Sequence, residues 1–525
     1  MSLSVWTVLP GRACVRIFNA KFTVFGNAFE RSKLFSCHKE VACFDSCLRS
    51  EARERVGTRV RMGAMVLCRS RYGSNAHKRL TTRQDSTQLK RDSVMTTHSR
   101  TQSPVIIVGG GLSGLSAAAY LARAGHAVLL FEKASTPGGR ARTRERNGFF
   151  FNQGAHAFRL HGAGERVLSE LGVSSSGSLP QLSGTFGLAD GKLHFFSTAA
   201  AAPELRRVLD RVEQLNAEEL QERSLQEWLE QEVPHPQVRQ FLLTRARIST
   251  YTHAPDLLSA GLALSLLNTP VLYLDGGWQT LVDGLRQQAQ EAGARLIMQA
   301  RVEAIEGAGE GYRVRLADGS RQDASAVLLA TDPETASALV ADGTHEALRR
   351  FAAQAIPACV ACLDIALRRL PSAENLVILG MDRPLYASVH SASAHLAPEG
   401  SALIHLMKYL RPGEAAEPEG SRQELEALMD LLQPGWRAEV VEQSFLPQMI
   451  ASNAIVQARL GGVSGRPGPA VPGLPNLYVA GDWVGPEGEK ADACFASARS
   501  AARLIMTKLS DRQSASLVSS SDVLA

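Results

Sequence analysis

Nothing in this 525-residue chain reads as a membrane-spanning helix. The uncharged stretch Leu257–Leu274 contains Ser259, Gly261, Ser265, Asn268 and Pro270. Pro270 ends a helix short of the roughly 20 apolar residues that a span requires. Leu257–Leu267 reads instead as a buried helix capped by Asp256, with a strand after it. Zinc-type cysteine spacing is also absent. Five of the eight cysteines (Cys14, Cys37, Cys43, Cys47, Cys68) fall in the first 100 residues, without the histidine pairs that would complete a site. No other ligand cluster stands out, so no metal is expected. Clustered basic residues are lacking beyond residue 100, where 38 Lys and Arg face 45 Asp and Glu. Nucleic acid is therefore not an expected partner. No internal repeat is found.

The first 100 residues differ from the rest. They hold 19 Lys and Arg against 7 Asp and Glu, and they account for the net charge of +5. They show no sustained helix or strand period, and no apolar core of a secretory signal follows the first positive residues. Residues 1–102 are expected to be a non-folding, disordered leader. A transit peptide, a disordered extension and an unused upstream start (Met95 precedes the first strand) all stay open. The expected location is the cytoplasm, with organellar targeting by the leader left open.

What is present begins at Val105. Val105-Ile-Ile-Val runs into Gly109-Gly110-Gly111-Leu112-Ser113-Gly114, then a small-residue helix, then Ala127-Val-Leu-Leu-Phe-Glu132-Lys133. Each part has a physical role in holding a dinucleotide. Gly109 allows the tight turn, Gly111 lets backbone approach a pyrophosphate, and Gly114 lets helix and strand pack closely. The helix N-terminus offers free N–H groups and partial positive charge. Glu132 stands where a carboxylate accepts from a ribose diol. Leu115 occupies the place of a Walker A lysine, which excludes that loop. The motif alone leaves NAD and FAD open.

Further along, Gly138-Gly139-Arg140 lies in a loop, and Gly148–His156 reads as a strand into a turn. Residues 157–270 read as mostly helical. After Gly276-Gly277-Trp278 a helix spans Thr280–Ala292, and a strand from Arg295 continues toward Val302 and Ile305. Tyr312–Leu316, an Asp318-Gly319 turn and Ala324–Ala330 read as a hairpin. Cys359–Leu367, Leu376–Leu379 and Ala402–Leu410 suggest an antiparallel sheet, with one helix near Glu424–Leu432. A short strand ends at Gly481-Asp482, a helix spans Ala491–Leu509, and the Ser-rich tail 510–525 reads as disordered. Cys359-Val-Ala-Cys362 lies in a strand-like run, where residues three apart face opposite ways, so it reads as two buried cysteines and not a redox pair.

Taken in order, these landmarks resemble the FAD-dependent amine oxidase and phytoene desaturase superfamily across nearly all of residues 103–509. The run after Asp482 is closer to the desaturase-like members. The resemblance implies an α/β fold. A Rossmann-like FAD-binding domain is assembled from 103–156, 271–344 and 466–509, and an α+β substrate domain with an antiparallel sheet from 157–270 and 345–465. It implies FAD as cofactor. Gly109, Gly111, Leu112, Ser113 and Gly114 would hold the pyrophosphate, and Glu132, with Lys133 beside it, the adenosine ribose. Gly138, Gly139 and Arg140 would lie near the pyrophosphate or flavin edge, Gly154 and Ala155 near the flavin ring, Val302 at the adenine, and Gly481 and Asp482 at the ribityl chain. His156 is the candidate general base, though a histidine bonded only to backbone fits the sequence as well.

Amine oxidases of this superfamily carry a lysine in a substrate-domain strand, and Pro357–Leu367 has none. The expected reaction is hydride transfer from a C–H of a lipophilic polyene or isoprenoid to the flavin. An amine or porphyrinogen oxidase, or a flavin-assisted isomerase, is the alternative. A lipid-binding chaperone without FAD, as some relatives of the fold are, is disfavoured by the intact glycine turn. Oxygen, a quinone or NAD(P) stays open as electron acceptor, and so does peripheral contact with a membrane surface.

Overall fold

The computed structural model describes residues 103–522 apart from 182, 196–201 and 415–416. The leader expected over residues 1–102 lies outside the described residues. From Ser103 to Asn152 the chain forms β1 (Val105–Val108), α1 (Leu112–Arg123), β2 (Val128–Phe131), β3 (Thr143–Arg146) and β4 (Phe149–Asn152). Next come β5 (Phe158–Arg159), α2 (Ala163–Glu170), β6 (Gly177–Ser178), β7 (Thr185–Ala189), β8 (Lys192–Phe195), α3 (Ala202–Gln214), α4 (Leu225–Glu232), α5 (Pro236–Thr250) and α6 (Ala260–Ser265). Then follow β9 (Val271–Leu274), α7 (Gln279–Glu291), β10 (Arg295–Ile297), β11 (Val302–Ala308), β12 (Gly311–Leu316), β13 (Arg321–Ala324), β14 (Ala326–Leu329) and α8 (Pro333–Ala338). The remainder is α9 (Glu346–Gln354), β15 (Ala358–Leu367), β16 (Val377–Gly380), β17 (Leu385–Val389), β18 (Ala402–Tyr409), α10 (Pro418–Leu432), β19 (Val440–Ser452), β20 (Leu477–Val479) and α11 (Ala491–Asp522).

The five-stranded sheet has the order β10-β2-β1-β14-β20, and every neighbouring pair is parallel. Its strands are buried runs such as Val105–Val108 and Ala326–Leu329, as a sheet covered on both faces requires. Helices α1, α7 and α11 cover one face through Leu115, Leu121, Leu281, Leu285, Ala498 and Ile505, all inaccessible to solvent. The small residues of α1 let it lie close to the sheet. β11, β12 and β13 form a separate three-stranded antiparallel sheet packed on the other face. A seven-stranded sheet, β19-β15-β18-β17-β16-β7-β8, holds the second core with α10. No described helix is long and apolar enough to cross a membrane.

Several local expectations are corrected. The strand expected from Arg295 through Ile305 is two strands in two sheets, because the chain turns at Gln299, which has φ +55°. The hairpin closes through β13, while Ala326–Leu329 leaves it for the parallel sheet. The stretch 157–270 gives β7 and β8 to the large sheet, and β7 pairs with β16 in parallel, so that sheet is not wholly antiparallel. β17 and β19 escape the sequence reading. β19 is an edge strand of mixed polarity containing Pro447, which an edge tolerates because its N–H is not needed. The helix near Pro270 is shorter than expected, and its cap is Ser259, whose hydroxyl accepts from Leu262 N, not Asp256. Leu258 is instead tied to Gln457. The tail expected to be disordered continues α11 to Asp522: no Gly or Pro stops a helix that is already nucleated.

Candidate functional site

The carboxyl ends of β1, β2, β14 and β20 bring the early and late motifs together, as expected of an open parallel sheet. The three turn glycines differ in their surroundings. A Cβ on Gly109 would lie 2.5 Å from Ala330 O, and one on Gly114 would lie 1.9 Å from Gly109 O. A Cβ on Gly111 would meet nothing within 4 Å. Gly109 and Gly114 thus close the turn, whereas Gly111 faces open space. Gly111 is also the N-cap of α1 and supplies no side-chain cap, and Leu112 and Ser113 form the buried first turn. An uncapped helix N-terminus beside an open glycine is a cradle for a pyrophosphate.

Glu132 is buried at the end of β2. Its Oε2 accepts from Gly110 N at 2.7 Å and its Oε1 from Ala134 N at 2.8 Å, so the acid braces the turn, each oxygen keeping one more lone pair. Lys133 is exposed beyond it. Val302 opens β11 and packs in the core that contains Phe131. Gly138 N donates to Gly110 O at 2.7 Å, which holds the Gly138-Gly139-Arg140 loop over the glycine turn.

Arg140 Nη2 donates to Asp482 Oδ2 at 2.8 Å, and Nη1 donates to Ala451 O. Burial works against the Arg140 charge, but Asp482 outweighs it and the guanidinium is held above its ordinary value. Asp482 is 1% exposed and also accepts from Asn453 N and Nδ2. Arg466 Nη1 donates to Asp482 O, and burial lowers its guanidinium to about 10. Gly481 N donates to Ser497 Oγ on α11. Asn453, Arg466 and Ser497 were not singled out from the sequence. Asn453 follows the missed strand β19, and Arg466 lies in a Gly/Pro-rich loop; only Ser497, a polar residue in an otherwise small-residue helix face, gave any signal.

Gly154 has φ +81°, and a Cβ there would lie 2.8 Å from Cys362 Sγ on β15. Burial, and then the charge of Asp364, push the Cys362 thiol well above its usual value, so it stays protonated. Cys359 is also a free thiol, in keeping with two strand cysteines. Ala155 O accepts from Tyr251 OH at 2.9 Å. Both nitrogens of His156 face carbonyl oxygens, Nδ1 that of Gly154 at 3.0 Å and Nε2 that of Arg140 at 3.1 Å. Burial holds this imidazole below its ordinary value. Its ring packs edge-on against Trp278, 5.1 Å between centroids. A neutral ring has one N–H, so His156 donates to one of these carbonyls, and the lone pair of its other nitrogen faces the second carbonyl and not open space. Trp483 is a core residue: its Nε1 donates to Thr331 O and it packs on Phe351.

Beyond Asp482, Lys490 precedes α11 with φ +51°. Its Nζ bonds Glu489 and Ser249 O and sits 4.7 Å from the Tyr251 ring centre. Burial lowers it to about 8 despite Glu489. No group of His, Cys, Asp and Glu suited to a metal occurs among the described residues. A cleft of about 990 Å³ between β11, β12 and α11 touches none of these residues and takes no part in this site.

The sequence profile of the flavin-containing amine oxidoreductases matches residues 112–506. The chain belongs to that family. The family's cofactor is a flavin, and the open Gly111 cradle and the Asp482 corner fit FAD. A carotenoid 3,4-desaturase from Haloarcula japonica is 46% identical over 68 residues, 13% of this chain and 14% of its own length. The putative flavin-containing monoamine oxidase AofH of Mycobacterium tuberculosis is 30% identical over 263 residues, 44% of this chain and 57% of its own. The chain thus spans under two thirds of these curated relatives. In fold it is similar to putrescine oxidase (TM-score 0.62, 16% identity, 77% of this chain and 99% of the other). It is also similar to an oxidoreductase from Methanosarcina mazei (TM-score 0.62, 19% identity, 76% and 99%).

Proposed function

We propose that the protein is a FAD-dependent oxidoreductase that removes hydride from a C–H bond of a lipophilic substrate of polyene or isoprenoid type. The two domains would be the discontinuous ones expected from the sequence, with substrate between them. The bound flavin supplies the hydride acceptor. The chain's own residues do the rest. The Gly109–Gly114 turn and α1 would hold the pyrophosphate, Glu132 the ribose, and Arg140 and Asp482, bonded to each other, would stand at the flavin end. His156 acts as a positioning residue for the turn beside the flavin. One observation carries the substrate class. The strand position that packs on the Gly154 turn is Cys362, a neutral thiol, on the strand where amine oxidases of the superfamily have lysine.

The test is anaerobic mixing of the yellow holoprotein with a C40 polyene or with a primary amine. Bleaching of the flavin band by the polyene alone is the expected result. Bleaching by the amine, with peroxide released under air, establishes the alternative. That alternative has its own support in the longer AofH match.

A further inference from the structure

The face of the large sheet that carries Cys362 is not apolar. Asp364 lies two residues further along β15 and so shares that face. It stands opposite His405 on β18, which stands opposite Ser388 on β17. Asp364, His405, Ser388 and the adjoining His390 are each 2% exposed or less. His405 Nδ1 lies 2.7 Å from Asp364 Oδ1. His390 meets His405 edge-on, 4.4 Å between centroids, and stacks on Tyr273 at 3.7 Å. Tyr273 and Tyr386 share a hydrogen bond of 3.0 Å. The group lies near enough to His156 for His405 and Asp364 to act on its charge.

Its polar atoms are only partly used. Among the described residues, His405 Nε2, both nitrogens of His390 and Asp364 Oδ2 are buried with no hydrogen-bond partner. Native proteins rarely leave such atoms unpaired. Four in adjacent side chains mark a place built to meet a polar group from outside the chain. The hydrogen-bond roles narrow its chemistry. Nδ1 of His405 is taken up by Asp364 Oδ1, so Nε2 is the ring atom left to meet a partner. Burial keeps His390 neutral, with one nitrogen donating and the other accepting. A hydroxyl both donates and accepts, so one such group can answer His390 and His405 Nε2 together.

We infer that Asp364, His405 and His390 form a recognition site for a hydroxyl group on an otherwise lipophilic substrate. The inference rests on the lipophilic-substrate reading and adds a polar end to it. Asp364 is a positioning residue that orients the His405 ring through its Nδ1.

The test is titration of the FAD-loaded protein with octan-1-ol, its isomer heptyl methyl ether, and nonane, read by perturbation of the flavin absorption band. The alcohol should bind about tenfold tighter than the ether or the alkane, the scale of one good hydrogen bond in a buried site. His405→Leu should bring all three within about twofold of one another at unchanged FAD content. Asp364→Asn weakens the contact that orients the His405 ring, and the preference for the alcohol should shrink. This second variant decides the matter if His405→Leu fails to hold FAD. Equal binding of alcohol, ether and alkane to the wild-type protein overturns the hydroxyl site alone, as for a cluster bridged by internal water. Retention of the preference in both variants also overturns it. Failure of all three probes to bind overturns the lipophilic reading with it.

Discussion

Arg140 and Asp482, 342 residues apart in the chain, meet through a 2.8 Å charge-assisted hydrogen bond. This contact joins the loop above the first glycine turn to the turn that follows the last strand of the parallel sheet. Asp482 is almost fully buried, while the Arg140 side chain keeps 36% exposure. Solvent therefore screens the pair, and its worth lies below the roughly 3–5 kcal/mol lost when one member of a fully buried pair is removed. A double-mutant cycle with Arg140→Met and Asp482→Asn should give a coupling of about 1–2 kcal/mol in denaturant unfolding of the apoprotein. Additive effects would mean that each side chain relies mainly on its other partners, such as Asn453.

The glycine turn predicts opposite outcomes at two neighbouring positions. Gly111→Ala adds a methyl group into open space and should leave apoprotein stability within about 0.5 kcal/mol of wild type. Gly114→Ala forces a methyl group onto Gly109 O and should cost several kcal/mol. Both should lose FAD, measured as bound flavin per chain. Undiminished flavin in a Gly111→Val protein would show that the pyrophosphate lies elsewhere.

His156 offers a way to separate positioning from base catalysis. His156→Gln keeps one side-chain donor for a carbonyl and should retain FAD, with turnover reduced less than about tenfold. His156→Ala, which drops both contacts, should lose about 100-fold, at the lower end of general acid–base effects. The pH profile of kcat should keep its shape in the Gln variant. Loss of its acid limb would make His156 the base after all.

His390 sets a pH dependence of stability. Burial, aided by His405 and His156, holds its imidazole well below the ordinary value of 6.5. Below pH 6.5 the unfolded chain takes up a proton that the folded chain refuses. The stability tied to His390 is therefore complete above that pH and is lost as pH falls beneath it, by up to about 1.4 kcal/mol per unit. His390→Phe, which preserves stacking on Tyr273, should flatten the fall between pH 6 and pH 5 in urea unfolding. An unchanged slope assigns the acid sensitivity to other groups.

The local sequence by itself determined the nucleotide-binding unit. Its signals are short-range: an apolar strand, glycines at fixed offsets, a small-residue helix, and an acid that ends the next strand. The glycine at 114 is required by contact with the glycine at 109, five residues away, so spacing alone reveals it. The strand character of Cys359–Leu367 was legible for the same reason. Tertiary structure decided everything that depends on partners distant in sequence. β7 joined β16, β19 joined β15, and Asn453 and Arg466 converged on Asp482, because strand pairing and buried charges are satisfied by whichever segment the topology brings close. Asp364, His405 and His390 carry no shared motif, and only the register of three strands makes them neighbours. A residue's chemistry is written locally, but the groups that face it are set by the packing of the whole chain.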